Sequence, residues 1–381
     1  MNKFYKRLLL VSNIFFFILI SNSALSKQFA YVANNMGVPS ASVSVYEIGT
    51  RFKPYKGNRT NNLVALGYKP VLIRSDPDNG NVFIVEQPEY STQQNIFIYG
   101  KNFATDGIAS FIEGVSILDG EVQDILFYNE HTYIVATNNV YLYSHNQLLP
   151  VLNRVMGTIK SAVFIKNSIG FDSLFTIQYF PNKTEGFVQY NMYSDHEFLY
   201  DNQLWPGISS DNYLVSQIIV DRPISRFMFW AYGEPGVLGV EPTFYFFGNP
   251  KNNLLHIASD NKSEFYTDGV GVNISPTKSA FYFISDNTLG TKSAINGYIL
   301  KVNKDMRGDV SEKKILTENF ASSIQGIVMD EDQEYLYIIV SGENKIYQYL
   351  INHEDGSLTK TGIANTGYLP VSVAVSPHFF Y

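Results

Sequence analysis

The stretch IQGIVMDEDQEYLYIIVSGENKIYQYLINHEDGSL, residues 324–358, consists of apolar segments separated by short polar turns. The segments are rich in Ile, Val and Tyr, which favours β-strands over helices. Related stretches begin near residues 69, 121, 159, 224 and 270. Successive starts lie 38 to 65 residues apart, a period typical of the four-stranded blades of a β-propeller.

The two ends of the chain each contain part of one further repeat. GYLPVSVAVSPHFFY at 367–381 supplies a first strand, and KQFAYVANNMGVPSASVSVYEIG at 27–49 begins with a second strand. Joined, they predict a blade that closes the ring and leaves no free sheet edge. With the six internal copies, we predict an all-β, seven-bladed β-propeller whose ring is closed by a composite blade from both termini.

The first residues have the composition of a secretory signal peptide. Three basic residues precede an apolar run at 8–20, and ALS at 24–26 fits a cleavage site. The apolar run has 13 residues, whereas a membrane span takes about 20. We therefore predict a cleaved signal at 1–26, a single propeller domain at 27–381, and a secreted or periplasmic protein with no membrane span after signal removal.

The cysteine content and net charge of the chain exclude some kinds of chemistry and binding partner. The chain has no cysteine, which excludes disulfides, a lipid-modified cysteine and thiol catalysis. Without the signal it carries 25 basic and 35 acidic residues, a net charge of −10 with His neutral. This charge opposes general binding to nucleic acid. We expect a monomer whose partner is an unknown protein, small molecule or glycan.

Both ends of the chain resemble a known repeat. FAYVANN and SVSVYEI near the start, and EYLYIIVSGENKIYQYLINHEDGSLT with TGYLPVSVAVSP near the end, resemble the YVTN-type repeats of the lactonase-like seven-bladed propellers. The resemblance implies that fold. For relatives similar to 6-phosphogluconolactonases it also implies sugar-lactone hydrolysis, with histidines and an arginine where first strands begin. Here those places read GYKPVLI, GYLPVSV and SIQGIVM, without histidine, and Lys69 and Arg226 are the obvious basic residues nearby.

Propeller geometry places a candidate site at the ends of the second strands, on the face that also carries the connections between blades. Alignment of the second strands on their aromatic residue gives two columns at this rim: Asn34, Glu86, Ala136, Gln178, Gly248, Ser285 and Val340, then Asn35, Gln87, Thr137, Tyr179, Asn249, Asp286 and Ser341. From these columns we predict an exposed polar rim that binds a ligand or partner through Asn34, Asn35, Glu86, Gln87, Gln178, Tyr179, Asn249 and Asp286. The alternative is that these residues are polar only because strands give way to turns there.

A second candidate surface is predicted on the opposite face. Residues 195–212 suggest an insertion between the third and fourth strands of blade four, and 233–242 suggest a long first turn in blade five. Trp205, within the first of these, would anchor a protein partner if exposed. The alternative is that Trp205 only holds its own loop in place.

Catalytic and metal motifs are not found in the sequence. The six histidines are dispersed, with no HExxH or GxSxG motif. We therefore predict no catalytic residues, no metal and no cofactor. The leading functional hypothesis is an exported binding or interaction scaffold. The alternative is a lactonase-like hydrolase that acts on a sugar lactone or a related ester.

Overall fold

The computed structural model describes residues 26–35, 42–48, 53–54, 68–100, 110–117, 120–166, 172–181, 185–194, 197–204, 213–221, 226–233, 243–247, 254–258, 264–275, 278–287, 293–301, 311–377 and 379–380. The regular elements within these ranges are all β-strands. The first fifteen are β1 Ser26–Asn34, β2 Ser42–Ile48, β3 Lys53–Pro54, β4 Tyr68–Ser75, β5 Val82–Pro88, β6 Gln94–Gly100, β7 Ser110–Ile117, β8 Val122–Tyr128, β9 His131–Ala136, β10 Val140–Ser144, β11 Gln147–Pro150, β12 Thr158–Lys166, β13 Asp172–Tyr179, β14 Glu185–Ser194 and β15 Glu197–Leu204. The others are β16 Tyr213–Asp221, β17 Arg226–Gly233, β18 Thr243–Phe247, β19 Leu254–Ala258, β20 Glu264–Ser275, β21 Lys278–Asn287, β22 Ser293–Lys301, β23 Ser311–Phe320, β24 Ile324–Met329, β25 Tyr335–Val340, β26 Lys345–Ile351, β27 Leu358–Asn365, β28 Pro370–Val375 and β29 Phe379–Phe380.

These strands form seven antiparallel sheets. Six are four-stranded meanders in chain order, β4–β7, β8–β11, β12–β15, β16–β19, β20–β23 and β24–β27. The seventh has the order β28-β1-β2-β3, and β29 also pairs with β1. The first strand of each meander, or β28 in the seventh sheet, therefore lies at one edge of its sheet.

The sheets are arranged as a ring around their first strands. β8, β12, β16, β20, β24, β28 and β4 contact one another in that succession. An ion pair between Arg74 on β4 and Asp124 on β8 completes the circle. The first strands thus surround a central channel, and the chain folds as a β-propeller, as the repeat predicts.

Both faces of each sheet pack against neighbouring sheets, so strands such as β1 are continuous apolar runs. On one face of β1, Phe29 and Tyr31 join the core shared with the sheet of β4. On its other face, Ala30 and Val32 join the core shared with the sheet of β24. The core therefore lies between the sheets.

The composite sheet predicted from the termini is present. Residues 30–34 of β1 pair with residues 370–375 of β28. Below this ladder, the hydroxyl of Ser376 accepts a hydrogen bond from the Phe29 amide at 2.9 Å, and the Ser376 amide donates to the Phe29 carbonyl at 2.8 Å. Strands from opposite ends of the chain thus share one sheet.

The middle of the chain departs from the predicted boundaries. The sheet expected to start near residue 224 starts at β16, with Tyr213, and β17 and β18 are its second and third strands. Residues 197–204, taken as part of an insertion, form the fourth strand β15 of the preceding sheet. The cause is that β17 is a nearly continuous apolar run, RFMFWAYG, which does not show by itself whether it is the first or the second strand of a repeat. None of the described elements is a helix able to cross a membrane.

Removal of residues 370–381 deletes β28 and β29. We expect this truncation to lower the free energy of unfolding by about 3 kcal/mol or more, because it uncovers the apolar surface against Val373 and Ala374 and leaves the β1 edge unpaired. Urea denaturation of the two proteins measures the difference. Deletion of 379–381 is the matched control, since it removes a pairing of only two residues. Equal midpoints for the 370–381 deletion and the full chain would contradict the closure.

Candidate functional site

A β-bulge occurs at the same place in the first strand of every sheet, close to where that strand begins. The inserted residues are Val71 on β4, Gln123 on β8, Lys160 on β12, Ser216 and Gln217 on β16, Thr267 on β20, Gln325 on β24 and Val371 on β28. A bulge changes the direction of side chains and increases local twist, and bulges are frequent beside binding sites. We call this circle of bulges the channel mouth.

The first rim column predicted from sequence lies directly opposite these bulges. The residue before each bulge pairs with Asn34, Glu86, Ala136, Gln178, Ala231, Ser285 or Val340. The alignment is therefore right in six sheets. In the sheet of β16 the position belongs to Ala231 on β17, whereas Gly248 and Asn249 follow the third strand, β18. Asn249 itself lies outside the described residues.

The predicted exposure of this column is wrong for its polar members whose side chains the structure describes. Asn34, Glu86 and Gln178 are all fully buried, so these side chains do not form an exposed surface. Burial, followed by the nearby charge of Glu86, raises the pKa of Tyr99 above its usual value. A role for these residues in ligand binding stays a prediction.

Gln178 shows what a buried residue of this column does. Its side-chain oxygen accepts hydrogen bonds from the amides of Met156 and Gly157, both at 3.0 Å. Its side-chain nitrogen donates to Thr176 Oγ1 and to the Tyr190 hydroxyl, both at 2.8 Å. Gln178 therefore attaches the segment that leads into β12 to its own sheet.

Asn34 has a similar position in the composite sheet. Its side-chain nitrogen donates to the Val32 carbonyl at 3.1 Å and to Ser44 Oγ at 3.0 Å. Gly367, in the loop before β28, packs so closely that a Cβ there would lie 2.7 Å from Asn34 Cγ. The next residue, Asn35, donates its amide to the Leu369 carbonyl at 2.9 Å. Both asparagines thus position the loop at 366–369.

The second column is closer to the surface. Asn35, Gln87 and Tyr179 are partly exposed. The Gln87 side chain donates to the Ser91 carbonyl at 2.7 Å. The ammonium group of Lys160 lies 5.5 Å from the centre of the Tyr179 ring, within the range of a cation–π contact. Asp286 is placed on β21, and its side chain lies outside the described part.

The predicted insertion that contains Trp205 is only partly within the described residues. Its residues 197–204 form the fourth strand β15 rather than an insertion between the third and fourth strands. Trp205 and residues 234–242 lie outside the described residues, and a role of Trp205 in binding a partner stays a prediction.

A polar cluster inside the channel was missed by the sequence reasoning. Arg74 Nε donates to Asp124 Oδ1 at 2.7 Å. Arg74 Nη1 donates to the carbonyl of the preceding residue, Ile73, at 2.9 Å. It also donates to Ser372 Oγ at 3.4 Å. The guanidinium group therefore reaches β8 on one side and β28 on the other. To do so it must cross the inner edge of β4, on the channel wall.

This cluster keeps hydrogen-bonding capacity that the described residues do not use. The ion pair is single, Nε to Oδ1, and no described residue bonds Arg74 Nη2 or Asp124 Oδ2. The side chains of Arg74 and Asp124 are 33% and 28% exposed, so both are partly accessible to solvent. We call Arg74, Asp124 and Ser372 the channel triad.

The channel triad can bind polar groups of both signs. A guanidinium edge donates hydrogen bonds to a carboxylate or carbonyl oxygen, and a carboxylate oxygen accepts them from hydroxyl groups. Within the described ranges, no group of three or more His, Asp or Glu side chains is arranged to hold a metal ion.

The fold can be compared with known proteins. No protein-family profile matches the chain, and no curated protein matches it. Two solved structures carry the description "putative 6-phosphogluconolactonase". The one from Bacteroides uniformis has 14% identity and a TM-score of 0.64, over 92% of this chain and 99% of that one. The one from Bacteroides fragilis has 12% identity and a TM-score of 0.62, over 92% and 98%.

A protein from Lactobacillus plantarum is similar at 8% identity, with a TM-score of 0.60 over 92% of this chain and 99% of that one. At such identities the likeness concerns the fold alone. The class that this fold defines is the β-propeller.

Gln178→Ala tests the structural role of the rim column. We expect it to lower the free energy of unfolding by about 2 to 4 kcal/mol, because it leaves the amides of Met156 and Gly157 and the Tyr190 hydroxyl without this buried partner. Chemical denaturation is the measurement. Gln325→Ala at the exposed bulge of β24 is the control, with an effect within about 0.5 kcal/mol. Equal stability of the two variants would contradict the role.

Proposed function

We propose that this chain is a ligand-binding β-propeller whose site is the channel, and that its ligand is a small hydroxylated carboxylic acid or the corresponding lactone. The observation that carries the proposal is the channel triad, in which Arg74 bridges two neighbouring first strands and is partly exposed. Small-ligand sites are concave and carry a few convergent polar groups, and the channel triad supplies such groups where first strands converge.

The triad suits such a ligand because it offers a donor beside an acceptor. Arg74 Nη2 would donate to a carboxylate or ring carbonyl, while Asp124 Oδ2 would accept from a hydroxyl group. The Ile125 amide donates to Asp124 Oδ1 at 2.8 Å, and Ser372 is buried. This hydrogen bond and the burial of Ser372 hold the triad in place before a ligand binds, which reduces the entropy lost on binding.

Lactone hydrolysis is a second candidate, favoured by the likeness in fold to the two Bacteroides proteins. In that reaction Asp124 would accept a proton from the attacking water, which bonds to the carbonyl carbon. Arg74 would stabilise the negative charge on the carbonyl oxygen. The ring C–O bond then breaks and the departing oxygen takes the proton, which leaves a hydroxy acid.

Export and family are part of the proposal. We infer that residues 1–26 are a signal and that residues 27–381 act in a secreted or periplasmic setting, supported by the basic, apolar and small residues of the first segment. The YVTN-type stretches at both chain ends support membership of that repeat family. N-terminal sequencing of exported protein tests the processing, which should leave Lys27 first.

Calorimetric titration of the wild-type protein with D-gluconate and D-glucono-δ-lactone tests the binding function. We expect Arg74→Met and Asp124→Asn each to weaken binding at least 10-fold, because a hydrogen bond to a charged group contributes about 1.5 to 3 kcal/mol. Both variants should fold, since partly exposed ion pairs contribute about 1 kcal/mol or less. Lactone turnover by the wild type, measured by acid release, separates hydrolysis from binding.

The matched control is Lys345→Met. It removes an ion pair with Glu343 of similar exposure, 38% and 25%, on a third strand away from the channel. Its affinity should equal that of the wild type. Unchanged affinity in folded Arg74 and Asp124 variants, or no binding to the wild type, would overturn the proposal.

A further inference from the structure

The residues inserted by the bulges at the channel mouth are not distributed evenly around the ring. In five consecutive sheets they are polar, namely Gln123, Lys160, Ser216 with Gln217, Thr267 and Gln325. In the two remaining sheets, which are neighbours, they are Val371 and Val71. We call these the polar arc and the apolar arc. The channel mouth is therefore two-sided, although each sheet contributes the same structural position.

The apolar arc is partly exposed and continues into a neighbouring loop. Val71 and Val371 each pack on one side against a core between sheets and are otherwise partly exposed. Tyr368 and Leu369 precede β28 in the chain and are 62% and 50% exposed. Large apolar side chains this exposed, beside partly exposed valines, form a surface that gains free energy when an apolar group covers it.

The loop that carries these side chains is held in a strained conformation. Leu369 has a φ of 51°, in the left-handed region that residues other than glycine seldom adopt. Its amide donates to Asn344 Oδ1 at 3.0 Å, and its carbonyl accepts the Asn35 amide. Strain that is maintained by such contacts is typical of binding sites. The contacts fix Leu369 and Tyr368 next to the start of β28.

The polar arc offers hydrogen-bonding groups on the other side. Lys160 and Gln325 are exposed and Gln123 is partly exposed. Gln123 directly precedes Asp124 of the channel triad in the chain. Arg74 and Ser372 lie on β4 and β28, the strands of the apolar arc, whereas Asp124 lies on β8, a strand of the polar arc. The channel triad is therefore where the two arcs meet, and a ligand whose polar part binds there can turn an apolar substituent toward Val71 and Val371.

We propose that the channel mouth is a binding site for an amphiphilic small molecule, in which a polar ring or hydroxy-acid head carries an alkyl chain that covers Val71, Val371 and Leu369. This inference deepens the proposed function and rests on it for the position of the head. It distinguishes the ligand from an unsubstituted sugar derivative, which has no apolar part to bury against the valines.

The test compares two probes that share one ring. These are δ-valerolactone and δ-undecalactone, which has the same ring with a six-carbon chain, together with the hydroxy acid of each. We expect the alkyl chain to increase affinity for the wild-type protein at least 10-fold, since each buried methylene increases affinity by up to about 4-fold. The Val71→Ser/Val371→Ser double variant should lose this increment and keep its affinity for the unsubstituted probes.

Two further variants keep the result interpretable. Leu369→Ser changes an exposed loop residue and should lose part of the increment even if the double variant is unstable. Leu350→Ser replaces a leucine that is 40% exposed near the end of β26, on the opposite face, and should bind both probes as the wild type does. If Leu350→Ser loses as much of the affinity gained from the alkyl chain, that chain adsorbs non-specifically and the proposal is overturned.

The outcomes separate this inference from the function on which it rests. Equal affinity for both probes, with dependence on Arg74, overturns the amphiphilic ligand and leaves the proposed function standing. If the alkyl chain increases affinity through the valines but binding does not depend on Arg74, the apolar arc is supported and the role of the channel triad is overturned. If the wild type binds neither probe, nor the hydroxy acids, both proposals fail.

Discussion

The pairing of β28 with β1 is the constraint on which the rest of the molecule depends. Each sheet is an antiparallel meander whose faces are covered only by its neighbours, so an open ring would expose two of those faces. β1 contributes Phe29 and Tyr31 to the core on one side and Ala30 and Val32 to the core on the other. Its ladder with β28, and the hydrogen bonds of Ser376, fix the composite sheet between them. Ring geometry in turn sets the distance between first strands, and hence the contacts of Arg74.

Much of the fold could be predicted because the repeat is strongest where the strands are most regular. First strands expected near residues 69, 121, 159 and 324 begin at Tyr68, Val122, Thr158 and Ile324. The sheet that begins at Tyr213 was misplaced because its second strand, β17, is a nearly continuous apolar run. Such runs do not show which strand of a repeat they are. Periodicity therefore placed four of these first strands to within one residue, and it missed the starts at Tyr213 and Glu264, which were expected near residues 224 and 270.

The candidate site was less accessible to sequence reasoning, for two physical reasons. A polar residue at a strand end has the same sequence signature whether it is exposed or, like Gln178, buried and bonded to the next segment. In addition, the channel triad joins residues 50 and 298 positions apart, and the bulges determine which of them face one another. A usable signal was present, since Gln123, Lys160 and Gln325 occupy the same place near the start of their repeats. It becomes visible only when the first strands, rather than the second, are aligned.

Closure of the ring by the two termini has a consequence for the order of events during folding. A ribosome completes β1 before any of the six meanders, whereas its partner β28 is made after all of them. Until then β1 lacks its ladder with β28, and the sheets on both sides lack a covering neighbour. Contacts between such distant segments form slowly because a long loop must close first. Synthesis of residues 370–381 therefore decides when the nascent chain stops being an open, association-prone arc and becomes a propeller.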